Sequence, residues 1–281
     1  MFSPLKSSAF SEIDLKLMSF NVRYGTAKDG KNSWTHRREL VFDLLKKNQT
    51  DIFCLQEALH FQIEEIFSEI KNYSVIAKGR DDGKQSGEHN AIFYNPKRFK
   101  ILKSDTFWFS QTPSVPGSKH WGNKQPRICT WSHFFDKTTS LHFFIYNVHL
   151  DHRSTLAKRK SADLLAQKFK RHKKDNIPVI LLGDFNAGEK SEIIQYFKGK
   201  ACLKDFHQND YPLEDTFRKL HPKALGGTFH MFFGNRIGPK LDYILAPKES
   251  TVLNCSIIRT NVNGKYPSDH FPLYSHIVLK V

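Results

Sequence analysis

Apolar residues in this chain gather into short runs of strand composition, at 15–20, 51–55, 73–76, 91–94, 141–150, 179–182, 241–245 and 273–279. Runs this short, rich in β-branched and aromatic residues, predict buried strands. Other stretches carry a helical period. Leu40, Val41, Leu44 and Leu45 make one stripe of an amphipathic helix at 34–47. Leu164, Leu165 and Phe169 do the same at 156–169, and Phe61, Ile66, Phe67 and Ile70 at 57–70. These elements follow one another without strict βαβα alternation. That order predicts mixed sheets packed between helices, an α/β sandwich of two sheets. No repeat and no Pro/Gly/Ser linker divides the chain. A single domain over 1–281 is expected, with 1–13 as an N-terminal extension. The stretch 111–127, rich in Pro, Gly, Ser and Lys, predicts a surface loop that either shapes a binding rim or is a plain excursion.

Composition supports a packed globule, with 39% hydrophobic and 25% charged residues and 24 Phe. The formal net charge of +15 favours a polyanionic partner: nucleic acid, a phosphorylated metabolite or an anionic surface. Cys54, Cys129, Cys202 and Cys255 form no CxxC pair, so a zinc ribbon is not indicated and they read as buried thiols. The first residues lack an uninterrupted apolar stretch behind a basic start, and no 18-residue apolar run occurs anywhere. The expectation is a cytoplasmic monomer without a membrane span, or a secreted or periplasmic protein if a leader has been trimmed.

Candidate chemistry lies at the ends of the apolar runs, where buried strands terminate in polar groups. These places are Ser19-Phe20-Asn21, Leu55-Gln56-Glu57, Asn147-Val148-His149-Leu150-Asp151, Leu182-Gly183-Asp184-Phe185-Asn186 and Pro267-Ser268-Asp269-His270, while Asp242 opens a run at Lys240-Leu241-Asp242-Tyr243. Singly, each has a plain structural explanation: a turn cap for Asn21, a helix start for Glu57, an Asx turn for Asp184 and Asn186. Together they are harder to dismiss. Burying so many carboxylates and imidazoles unpartnered costs several kcal/mol each, a cost that a hard cation offsets. Carboxylate and amide oxygens without thiolate suit Mg²⁺, with Mn²⁺ as the alternative. His149 and His270 are left to hydrogen-bond phosphate oxygens or carry protons. Such a set is equipped to cleave a phosphate ester.

The segments MSFNVRYG, CLQEA, GEHNAIFY, IYNVHLDH, LLGDFNA, KLDYIL and YPSDHFPL, in this order, resemble the successive motifs of the endonuclease/exonuclease/phosphatase superfamily, the group that includes DNase I. The resemblance implies a four-layer α/β sandwich with a Mg²⁺ site at its rim. It implies Glu57 as principal metal ligand, with Asn21 and Asp269 close to the ion or its waters. Asp184 would orient or deprotonate the attacking water, and Asn186 would hold it in line. His270, held by Asp242, would stabilise charge on the phosphorane, and His149, with Glu88 beside it, would donate to a non-bridging oxygen or help protonate the leaving group. Arg23, two residues after Asn21, stands where abasic-site endonucleases carry an acid, which speaks against a role in abasic-site repair. Phrases such as Asn-Val-Arg-Tyr, Trp34 with Arg37-Arg38, and Gly227-Thr228-Phe229 look more like the branch of bacterial hydrolases, deadenylases and nocturnin-like enzymes. Arg127 is a candidate to clamp a second phosphate, or else a structural ion pair. Trp121, Phe229 and Phe232 are candidates to stack on a base, or else core. The basic run at 168–174 offers a salt-sensitive polyanion surface, or else a solvated helix end. The function expected is a phosphodiesterase or nuclease using an activated water. The alternatives are a phosphatase or phosphodiesterase for a phospholipid, inositol phosphate or small phosphometabolite, and a noncatalytic nucleic-acid-binding module.

Overall fold

The computed structural model describes residues 11–281. Its strands form two six-stranded sheets. The first runs β11 (Thr251–Ile257), β12 (Leu273–Lys280), β1 (Glu12–Asn21), β2 (Ile52–Ala58), β4 (His89–Tyr94), β3 (Ser74–Ile76). The second runs β5 (Phe99–Trp108), β6 (Ile128–Asp136), β7 (Leu141–His149), β8 (Val179–Asp184), β10 (Asp242–Pro247), β9 (Leu213–Asp215). β1 and β2 are parallel, as are β7 and β8, while the other neighbours are antiparallel, so both sheets are mixed.

Strand alternation sets the layers. Leu15 and Leu17 of β1 face the second sheet, meeting a cluster that includes Phe134, Phe143, Ile145, Ile180, Leu182 and Ile244. Met18 and Phe20 face the other way, onto α1 (Trp34–Asn48) and α2 (His60–Glu69). The outer face of the second sheet carries Phe144, Tyr146 and Leu181 against α3 (Thr155–Lys174) and α4 (Glu192–Phe197). Helix, sheet, sheet and helix make the four layers. Phe20, Phe53, Phe93, Phe134, Phe143, Phe169 and Phe185 are fully buried, each worth about 1.5–3 kcal/mol of apolar transfer.

Several expectations shift. The helix expected from residue 57 starts at His60, because Glu57 and Ala58 still belong to β2. Glu12 and Ile13 already pair with β12, so the expected extension is shorter than 13 residues, and its first ten lie outside the described ones. Cys202 is exposed, whereas Cys54, Cys129 and Cys255 are buried as expected. β5, β6, β9 and β11 were not signalled by continuous apolar runs: β5, β9 and β11 are edge strands, β5 with a largely exposed middle carrying Lys100, Lys103 and Asp105, and β6, though interior, is interrupted by Thr130, Ser132 and His133. Stretch 111–127 is the loop expected. It packs on the loop at 79–88, where Asp81 and Gly83 meet Gly117 and Pro116. No described helix is long and apolar enough to cross a membrane.

Candidate active site

Strand register gathers the site. Across the second sheet His149 pairs with Asp184, and Asp184 with Asp242. In the first sheet β1 ends at Asn21, opposite Gln56, one residue before Glu57. The turn before β12 adds Asp269 and His270, with Ser268 Oγ donating to Asn21 O at 2.7 Å. Behind these groups a buried amide pair joins the sheets. Gln56 Nε2 donates to Asn147 Oδ1 at 2.8 Å, and Asn147 Nδ2 donates to Leu55 O and Ala91 O at 3.0 and 2.9 Å. Neither amide was singled out for a role in the sequence, although a polar residue inside an apolar run was the available signal.

The backbone here is bent out of strand geometry. Glu57 has φ +61° and Asn186 φ +45°, conformations unusual for side-chain-bearing residues. Gly183 has φ +135°, and a Cβ there would lie 2.0 Å from Val148 O, so only glycine lets β8 pass β7 this closely.

Glu57 Oε1 accepts from Asn21 Nδ2 at 3.0 Å and Oε2 from the Tyr24 amide at 3.2 Å. The same Asn21 nitrogen donates to Asp184 Oδ2 at 3.0 Å, and its oxygen takes the Arg23 N–H at 3.0 Å. Asn21 is therefore a bridge between two carboxylates, with its oxygen engaged by the main chain. Glu57, His149 and Asp184 each offer a ligand atom within 4.8 Å of the others, and so do Asp184, Asp242 and His270. Asp269 lines the same cleft, with Oδ2 3.8 Å from Arg23 Nε, but stands outside both groups. Asn186 donates its backbone N–H to Asp184 Oδ1 at 2.8 Å and its side-chain amide to Leu150 O at 3.0 Å.

Electrostatics separates the two histidines. Burial, then the Arg127 and Arg80 charges, hold His149 well below its ordinary value. His270 is buried too, which opposes its charge, but Asp242 Oδ2 at 2.8 Å, with Asp184 and Asp269 nearby, raises it well above the ordinary value. Asp184 lies between them, 3.6 Å from His149 Nε2 and 3.8 Å from His270 Nε2. Burial, then Asp242, pushes its carboxyl up to about 7. Asp184, its own carboxyl raised, thus stands between an imidazole kept neutral and one kept cationic.

A cleft of about 860 Å³ opens over this set. Strand order gives it two flanks. Beyond His149 and β4 stand Arg80, Glu88 and Arg127, and beside His270 stand Phe229, Met231 and Phe232, with Phe229 bridged to His270. Glu88 does not hold His149 as expected. Its Oε2 is bonded to Arg80 and lies 3.9 Å from His149 Nδ1, beyond hydrogen-bond reach, because the guanidinium is the stronger partner. Burial raises the Glu88 carboxyl against the pull of Arg80. Arg127 is 5% exposed, and its nearest carboxylate oxygens among the described residues, on Glu88 and Asp151, are both 3.9 Å away. It pairs more closely with His152 Nδ1, at 3.0 Å. Trp121 does not line the cleft. It packs on the core beneath α3, and its carbonyl accepts from Ser154 Oγ. Phe229 and Phe232 do line it, whereas the basic run at 168–174 does not. The cleft is lined by five carboxylates, Asp29, Glu57, Glu88, Asp184 and Asp269, against three arginines, Arg23, Arg80 and Arg127, and the cationic His270. The chain's positive excess therefore lies elsewhere.

The chain belongs to the endonuclease/exonuclease/phosphatase family, whose model matches residues 18–270. It is similar to an endonuclease/exonuclease/phosphatase family protein from Bacteroides thetaiotaomicron, at 31% identity and TM-score 0.85 over 97% of this chain and 98% of that one. It is also similar to a mannosyl-6-phosphatase of Bacteroides thetaiotaomicron, at 32% identity and TM-score 0.84 over 94% of this chain and all of that one. Drosophila melanogaster Nocturnin is 24% identical across 92% of this chain, which spans 46% of that protein. The protein is thus a phosphoric ester hydrolase of this family, whose relatives include bacterial family members and a 3′–5′-exoribonuclease subunit of Kluyveromyces lactis. A noncatalytic module does not fit, since Glu57, His149, Asp184, Asn186, Asp242 and His270 are all present and assembled.

Proposed function

We propose that the chain is a Mg²⁺-dependent phosphatase that hydrolyses the phosphate monoester of a small, sugar-like molecule. One observation carries this reading: the cleft holds more carboxylates than arginines, in a chain of net charge +15. A groove for a polynucleotide would concentrate cations, whereas an acid-rich pocket suits a divalent cation and one phosphoryl group. The mannosyl-6-phosphatase likeness supports the same substrate class.

The carboxylate oxygens of Glu57, with no thiolate near them, fit Mg²⁺. An ion bound there supplies charge neutralisation at the phosphoryl oxygens. Asp184 positions the attacking water and takes its proton, Asn186 steadies the water against the phosphate, and as the water oxygen bonds phosphorus the P–O bond to the sugar breaks, the leaving oxygen taking a proton from solvent. His270, cationic on Asp242, faces the charge that develops on the phosphorus-bound oxygens. His149, held neutral, donates to a non-bridging oxygen. Arg127, with no carboxylate of the described residues in hydrogen-bond reach, offers its guanidinium to the phosphate. Phe229 and Phe232 receive the apolar face of the leaving group.

A second reading, cleavage of nucleic acid, is favoured by the same two aromatic rings, on which a base stacks. The discriminating assay follows phosphate release from phosphorylated sugars alongside cleavage of labelled single-stranded RNA and DNA, each with Mg²⁺ and with EDTA. The phosphatase reading expects Mg²⁺-dependent release from sugar phosphates, changed less than about threefold between 50 and 200 mM salt. A polynucleotide track with many phosphate contacts would lose about 10³-fold or more over that range. Oligonucleotide cleavage without phosphate release from any sugar phosphate would overturn the proposal.

A further inference from the structure

We propose that Arg37 is a positioning residue: its buried guanidinium clamps the chain leaving β1 to the 267–269 segment, and so preorganises the acidic pocket for its divalent cation. The inference rests on the cation-binding reading above but concerns a residue outside the pocket. Arg37 lies on α1 and is 2% exposed. Its Nη1 donates to Val22 O and, at 2.8 Å, to Pro267 O, joining the two ends of the fold. Nη2 donates to Arg23 O at 2.8 Å and Nε to Asn32 O at 3.0 Å. All four partners are carbonyls, and no carboxylate of the described residues pairs with this guanidinium.

The carbonyls it holds flank functional groups. Val22 and Arg23 lie between Asn21, which bridges Glu57 and Asp184, and Tyr24, whose amide holds Glu57 Oε2. Pro267 precedes Ser268, bonded to Asn21 O, and Asp269. Arg23 itself has φ +58°, so this turn is in a conformation that the surroundings must enforce. The guanidinium also lies 5.1 Å from the Trp34 ring and 5.9 Å from that of Phe232, which lines the cleft. Burial opposes the charge of a cation, and it lowers the Arg37 pKa to about 10. Hydrogen bonds from a charged group are the strong ones, so this set offsets the cost of burial only while all the carbonyls stay in place. That requirement makes the clamp geometrically exacting. A lysine keeps the charge but loses the planar fork.

The test titrates the full chain with Mn²⁺ by calorimetry, comparing wild type with Arg37→Lys and with Arg37→Gln. Circular dichroism verifies that each variant is folded. A folded Arg37→Lys protein is expected to bind Mn²⁺ at least about tenfold more weakly, while kcat at saturating Mn²⁺ returns to within about threefold of wild type, a split that general loosening of the fold would not produce. If Arg37→Lys does not fold, Arg37→Gln, which keeps an amide donor without the fork, decides, with weaker Mn²⁺ binding expected. Affinity within twofold of wild type in the deciding variant overturns the clamp. Failure of the wild-type chain to bind Mn²⁺ overturns the cation reading beneath it.

Discussion

Asp184 shows why this pocket is built for chemistry rather than stability. Its carboxylate is buried beside Asp242 and is held in place by the Asn186 and Asn21 N–H groups. A like-charged neighbour in a buried site is a cost that a stable core avoids. Asp184→Asn removes that repulsion along with the proton acceptor. We expect kcat to fall at least about 100-fold, the scale of a positioned acid/base group, while Tm stays within a few degrees of wild type. Steady-state kinetics and a thermal melt check both, and near-normal turnover would mean that Asp184 is not the proton acceptor. Most of this set was legible in the chain, because strands ending in Asn, Glu, His or Asp announce themselves. What was not legible was pairing. Glu88 stands in a motif that suggests His149 as its partner, yet Arg80, eight residues away, takes the carboxylate. Of the two readings for Trp121, stacking on a base or core, the structure has it packed against the core.

At the scale of elements, the expected strands at 15–20, 91–94, 141–150 and 179–182 became β1, β4, β7 and β8, all central in their sheets. Central strands are buried on both faces and so read as unbroken apolar runs. β5, β9 and β11 are edge strands, and interior β6 is interrupted by Thr130, Ser132 and His133, so the pattern that identified the others was absent from these four. The end of α3 illustrates what such a pattern conceals. His172, in a run that reads as a solvated basic tail, stacks on Phe144 with centroids 3.7 Å apart and pairs its Nε2 with Tyr146 OH at 2.7 Å. Burial, then the neighbouring His133, lowers its pKa to about 4. A folded-state value below the ordinary 6.5 means that the unfolded chain binds the proton more tightly. The contribution of His172 is therefore fully present above about pH 6.5 and is lost as pH falls toward 4. Denaturant unfolding of His172→Phe is expected to lose less stability than wild type between pH 7 and pH 4.5. Equal pH slopes for the two proteins would show that His172 does not carry this dependence.

Across the whole molecule, charge and topology act separately. The +15 excess suggested a polyanion partner, and that inference holds only if the charge faces the site. The cleft itself holds more carboxylates than arginines, so the excess charge bears on solubility and on the encounter with a phosphate ester rather than on the pocket's own lining. Sheet order turns strand ends far apart in the chain into neighbours: β1 and β2 bring Asn21 and Glu57, β7, β8 and β10 bring His149, Asp184 and Asp242, and the turn before β12 closes the ring with Asp269 and His270. Whether this convergence seats a cation decides the rest, and anomalous diffraction from a crystal grown with Mn²⁺ measures it directly. A single strong peak bonded to the Glu57 carboxylate is the expected outcome. A cleft without a peak, or a peak held only by residues outside it, would refute the cation site.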